Sequence, residues 1–167
     1  MQTLKSVTFA YVVQQDRVLA VVNSGSPDAW SCWLTRRVVL PLLEQAGGLL
    51  ERTSNLARRI PSESRQELAA FEHQAAMMKT AEAFRASSVR QASATAAELI
   101  ERLCITDQGD DFRFELRGLA GGGAAGVVRR AELHRILQML RDEVAKARWA
   151  DQPGRLEPAV ERLGAKH

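Results

Sequence analysis

The stretch "LTRRVVLPLLEQ", residues 34–45, and its looser copy "VVRRAELHRILQ", residues 127–138, decide how the chain is read. Each sets two adjacent arginines ahead of apolar residues at helical spacing. Sliding the chain by 93 positions aligns more than these two segments. Gln15 then meets Gln108, Leu19 meets Phe112, Val21 meets Phe114 and Gly25 meets Gly118. Arg36 and Arg37 meet Arg129 and Arg130, Leu40 meets Leu133, and Leu43 meets Ile136.

Working outward from the first copy, residues 7–13 alternate in the manner of a half-buried strand. "QQDR" supplies turn chemistry and "VLAVV" resumes the apolar pattern, so a hairpin is predicted. "NSGSPDA" is a loop, and "WSCWLTRR" places Trp30, Cys32 and Leu34 at period two, as a third strand or an extended entry to a helix. Pro41 lacks an N–H and clashes with the carbonyl four residues back, so the helix is expected to begin near Arg37 or Val38. A second helix is predicted from Pro61, with Leu68, Phe71, Ala75 and Met78 as its apolar stripe. Residues 85–97, rich in Ala and Ser, read as a connector. In the second copy, "DQGDD" signals a hairpin, "LAGGGAAG" reads as a loop, and residues 130–149 give the cleanest amphipathic helix of the chain.

The expected fold is therefore α+β, with two similar antiparallel hairpin-plus-helix units, an internal duplication, bridged by a central helix. The boundaries are 1–54 for the first unit, 55–97 for the connecting helix and linker, 98–150 for the second unit and 151–167 for a tail. One unit has a single apolar sheet face and a single helix stripe, too little core to stand alone, so the two are expected to form one globular domain. At 167 residues such a domain can bury roughly two-thirds of its unfolded surface without disulfides or metals.

Charge is mixed: 23 basic and 20 acidic residues leave a net +3 with no polybasic block. The N-terminus reads as mature structure, no run of apolar residues approaches the ~18 of a membrane span, and two cysteines without a secretory context are expected as free thiols. A cytoplasmic protein without membrane association is the expectation.

Motifs for chemistry are weak. Residues 121–126, "GGGAAG", satisfy G-x-G-x-x-G, but no second parallel strand with an acid follows, so no dinucleotide is expected. His73, His134, His167 and the cysteines lack ligand spacing, and His134 falls on the polar side of its helix, so no metal site and an exposed His134 are expected. No catalytic constellation is read, and no cofactor. The arginine pairs are electrostatically odd, because a cation at a helix start opposes the helix dipole by roughly 0.3–1 kcal/mol. Internal pairing with acids, or stacking on Trp30 or Trp33, is the expected compensation. The functional expectation is a non-catalytic adaptor or subunit that binds a protein partner or its own copy, with Trp30, Trp33 and Trp149 as candidate anchors. The alternative is nucleic-acid or other phosphate binding through Arg36, Arg37, Arg129 and Arg130.

Overall fold

A computed structural model describes residues 1–55, 61–80 and 96–150. The predicted connector at 85–97 lies almost wholly outside the described residues, as does the tail at 151–167. Among the described residues there are seven strands and three α-helices, an α+β arrangement. The strands are β1 (Gln2–Thr3), β2 (Val7–Val12), β3 (Arg17–Val22), β4 (Trp30–Leu34), β5 (Glu98–Asp107), β6 (Asp111–Gly118) and β7 (Gly123–Arg129). The helices are α1 (Arg36–Thr53), α2 (Arg65–Thr80) and α3 (Arg130–Ala147).

The strands form one mixed sheet in the order β1-β7-β6-β5-β4-β3-β2. The pairs β2/β3, β3/β4, β5/β6 and β6/β7 are antiparallel, while β4/β5 and β1/β7 are parallel. β1 and β2 therefore occupy opposite edges, yet only residues 4–6 separate them in the chain. A flat seven-stranded sheet would hold its outermost strands about 29 Å apart, whereas the path from Thr3 to Val7 spans at most about 14 Å. The sheet must curl until its edges approach. Asn23, at the end of β3, fixes the connector. Its Oδ1 accepts the Lys5 and Ser6 N–H groups at 2.8 and 3.2 Å, and its Nδ2 donates to the Thr3 carbonyl at 2.8 Å. Its left-handed backbone, φ 51°, is one that asparagine tolerates better than most residues.

Alternation along each strand selects the inner face. Val7 and Phe9, Val18, Ala20 and Val22, Cys32 and Leu34, Ile100 and Leu103, and Phe112, Phe114 and Leu116 are all buried there. Against them pack Val39, Leu42, Ala46 and Leu50 of α1 and Leu133, Ile136, Leu137, Leu140 and Val144 of α3, which makes one continuous core. α3 also closes on β2: Glu143 is buried, and its Oε2 accepts the Tyr11 N–H at 2.7 Å. Beyond α3, Trp149 Nε1 donates to Asp16 Oδ1 at 2.8 Å in the turn between β2 and β3.

Three expectations change. The stretch "LAGGGAAG" is a loop only to Gly122; from Gly123 it is strand β7. Its small residues conceal a strand because neighbours approach too closely for side chains. A Cβ at Gly126 would sit 2.8 Å from the Leu4 carbonyl oxygen, and one at Gly123 would sit 2.8 Å from the Leu116 carbonyl oxygen. The first helix starts at Arg36, so Pro41 falls in the second turn, where it is exposed and costs α1 one main-chain hydrogen bond. On α2 the predicted apolar stripe is split: Phe71 and Met78 are 65% and 77% exposed, Leu68 and Ala75 are half-buried, and the buried side carries Ala76 with Glu72 and His73 beside it.

Candidate functional site

The two arginine pairs divide between inside and outside. Arg37 and Arg129 are exposed, and Arg36 and Arg130 are half-buried. Arg130 opens α3 but reaches the far end of α1, donating to the Leu50 carbonyl at 3.0 Å and to Thr53 Oγ1 at 2.6 Å. Those atoms lie in the last turn of α1, where the helix dipole is negative, so the cation gains there what it loses at its own helix start. Its guanidinium also lies 5.3 Å from the centre of the Phe112 ring and 3.9 Å from Glu72 Oε2. For Arg130 the partners are internal, and the aromatic one is Phe112 rather than a tryptophan. At Arg129 the main-chain N–H donates to Glu132 Oε2 at 2.8 Å, so an acid in the first turn of α3 caps its start.

The pairs do not converge. β4 meets β5 only at Cys32↔Glu98 and Trp33↔Leu99, near the beginning of β5. Arg129 is level with Asp111 on β6, whose main chain meets Gln108 just past the end of β5. The start of α3 is therefore displaced from that of α1 by six or so residues along the strand direction, on the order of 20 Å. Three strand spacings separate them as well.

The tryptophans also part company. Trp149 is buried, with its ring edge against Tyr11 at 6.0 Å between centres. Trp30 donates its indole N–H to Glu98 Oε1 at 2.7 Å, and Glu98 Oε2 accepts the Ala120 N–H, so this carboxylate pins the glycine loop between β6 and β7. Trp33 is half-buried on the outer face of the sheet, paired with Leu19 across β3.

The densest polar chemistry lies where α1, α2 and α3 meet. Glu72 Oε1 accepts the Ser54 hydroxyl at 2.7 Å. His73 Nδ1 is 3.2 Å from His134 Nδ1, and His73 Nε2 is 2.9 Å from Gln138 Oε1. His134 is only 5% exposed, not the solvent-facing residue expected, and its Nε2 has no partner among the described residues. Burial first, then the neighbouring His73, Arg130 and Arg141, lower its pKa to about 4. The imidazole is therefore neutral at pH 7. Ser54 bonds a carboxylate rather than an imidazole, so these contacts make no hydroxyl–imidazole pair of the kind that activates a nucleophile. Among the described residues no group of three or more His, Cys, Asp or Glu side chains is placed to hold a metal ion. Cys32 is a free, buried thiol whose pKa desolvation and then Glu98 push up to about 12; Cys104 is free and half-buried. The two lie on β4 and β5.

Beside this junction, Phe71, Ala75, Ala76 and Ala131 border an open hollow of about 290 Å³ that Glu72, Arg130 and His134 close. No protein-family model matches the chain, and neither the curated proteins nor the solved structures contain a match to it. No helix among the described residues is long and apolar enough to cross a membrane.

Sequence reasoning missed Asn23, Glu98 and Glu143, each of which ties together residues 17 to 132 positions apart. A lone Asn or Glu carries no local signal of such a partner. Asn23 alone had a cue, as the residue that ends an apolar strand before a glycine turn.

Proposed function

We propose that this chain is a non-catalytic, cytoplasmic adaptor or subunit that acts by binding a protein partner or a second copy of itself. One observation carries the reading: Phe71 and Met78, two large apolar side chains on one face of α2, are 65% and 77% exposed while the same helix has polar residues on its packed side. Scattered apolar residues on a surface need no explanation, but an apolar helix stripe beside an apolar hollow is what a docking face looks like. The test is Phe71→Glu with Met78→Glu. Size-exclusion chromatography with light scattering, and affinity capture, should show an assembly in the parent that the double variant loses while its circular dichroism is unchanged. An identical assembly state and identical captured proteins for both would refute the reading.

The chain is further inferred to be a duplication. An offset of 93 residues carries β2 into β5, β3 onto 110–115, β4 onto 123–127 and α1 onto 129–146, close to the bounds of β6, β7 and α3. The common order, strand-strand-strand-helix, supports the inference.

Phosphate or nucleic-acid binding is the second reading, and the exposure of Arg37 and Arg129 favours it. Affinity for a DNA duplex should then fall steeply with salt, and less steeply once both residues are changed to glutamine. A slope unchanged by those substitutions refutes this reading.

A further inference from the structure

β5 is ten residues long, but β4 covers only its first two. The direction of its remaining main-chain groups follows from the ladder. Gln108 N–H donates to the Asp111 carbonyl at 2.9 Å, so the residues at alternate positions back from Gln108 face β6. Leu103, Ile105 and Asp107 present their N–H and C=O groups to the other side, where none of the described strands pairs with them. Among the described residues no hydrogen bond reaches the main chain of Leu103 or Ile105 from that side.

What lies there is α1, and between the helix and the open edge runs a groove of about 440 Å³, within the range of occupied ligand sites. Leu42, Ala46 and Leu49, with Glu44, Gln45 and Arg52 among them, form its helix wall, and Leu103 and Ile105 lie on its strand wall. Gly48 lies on the same wall, where a Cβ would come 3.1 Å from Arg52 Nη1. A side chain larger than alanine's at that position would take up space along this wall. On the outer face of the sheet, the next residue of the edge is Arg102, exposed and directly across from Arg117, a like-charged pair that disfavours the ladder. Glu115 lies 3.7 Å from Arg117 and 3.4 Å from Arg113.

We propose that this groove receives an extended segment of a partner protein as an additional strand on β5. Its apolar residues alternate towards Leu42, Leu49 and Ile105, and its acidic residues alternate towards Arg102. Unpaired main-chain groups specify a strand rather than a helix, the apolar side chains of Leu42, Leu49 and Ile105 specify the inward residues, and exposed Arg102 specifies the outward ones. The inference rests on the partner-binding reading and gives that partner a chemical form.

The probe is an acetylated, amidated heptapeptide alternating valine and glutamate, titrated into the 15N-labelled full chain. The Leu103 and Ile105 amide resonances should shift, and their hydrogen exchange should slow at least tenfold at saturation. Gly48→Leu should weaken binding at least tenfold, Gly48→Ala should bind as the parent does, and a valine–lysine peptide should bind at least tenfold less tightly. The proposal is overturned if those amides do not respond, if Gly48→Leu binds as tightly as the parent, or if the lysine peptide binds equally. None of these results touches assembly through Phe71 and Met78, so the groove can fail while the wider reading stands.

Discussion

Arg129 and Arg130 are adjacent, identical in type and opposite in role. Arg130 holds the end of α1 through the Leu50 carbonyl and Thr53, so Arg130→Met removes two charge-assisted bonds and leaves the Leu50 carbonyl without that donor. Unfolding by urea should show a loss of about 2–3 kcal/mol for that variant and within about 0.5 kcal/mol of the parent for Arg129→Gln. His134 supplies the pH dependence. Its folded pKa, about 4, lies below the unfolded value near 6.5, so the unfolded chain takes up the proton first. The stability this neutral imidazole permits is whole above pH 6.5 and is lost as pH falls from there towards 4. Denaturation curves at pH 7 and pH 4.5 should separate the parent from His134→Gln: the parent loses more stability than the variant, and equal losses would contradict the assignment.

At the scale of elements, what could be read in advance was whatever periodicity alone determines. α3 was legible because Leu133, Ile136, Leu137, Leu140 and Val144 recur at helical spacing and all become buried. The hairpins β2/β3 and β5/β6 were legible because alternation and turn chemistry are local. β7 was not, because Gly123, Ala124, Ala125 and Gly126 are there to admit Leu4 and the Leu116 carbonyl, and such close approaches leave no local pattern. α2 misled differently: its polar residues find Ser54, Arg130, His134 and Gln138, partners remote in sequence, and Phe71 and Met78 of the apolar stripe are left outside. Glycines distinguish these cases by experiment. Nothing lies within 4 Å of a Cβ at Gly47, so Gly47→Ala should stabilise the chain by up to about 1 kcal/mol. Gly126→Ala meets the Leu4 carbonyl and should destabilise it by about 1–3 kcal/mol, with thermal unfolding showing midpoint shifts of opposite sign.

For the whole molecule, the curl of the sheet decides what is available for function. The chain between β1 and β2 draws the outer strands together, α3 packs against the β2 edge, and the candidate residues end in different places: Trp149 inside, the arginine pairs far apart, the apolar face of α2 outside. The candidate site was legible only in part. The arginine pairs stood out as an electrostatic anomaly, and Arg130 has the internal partners that anomaly asks for, but the separation of the pairs is a property of strand register that neither copy reveals alone.

The most direct test of partner binding through α2 replaces Phe71 with a photo-crosslinking phenylalanine analogue in the native host, with the same substitution at Arg113 on the outer sheet face as control. Irradiation should yield a defined covalent adduct, to another protein or to a second copy of the chain, from position 71 and not from position 113. No adduct from position 71, or the same adducts from both positions, would contradict the account.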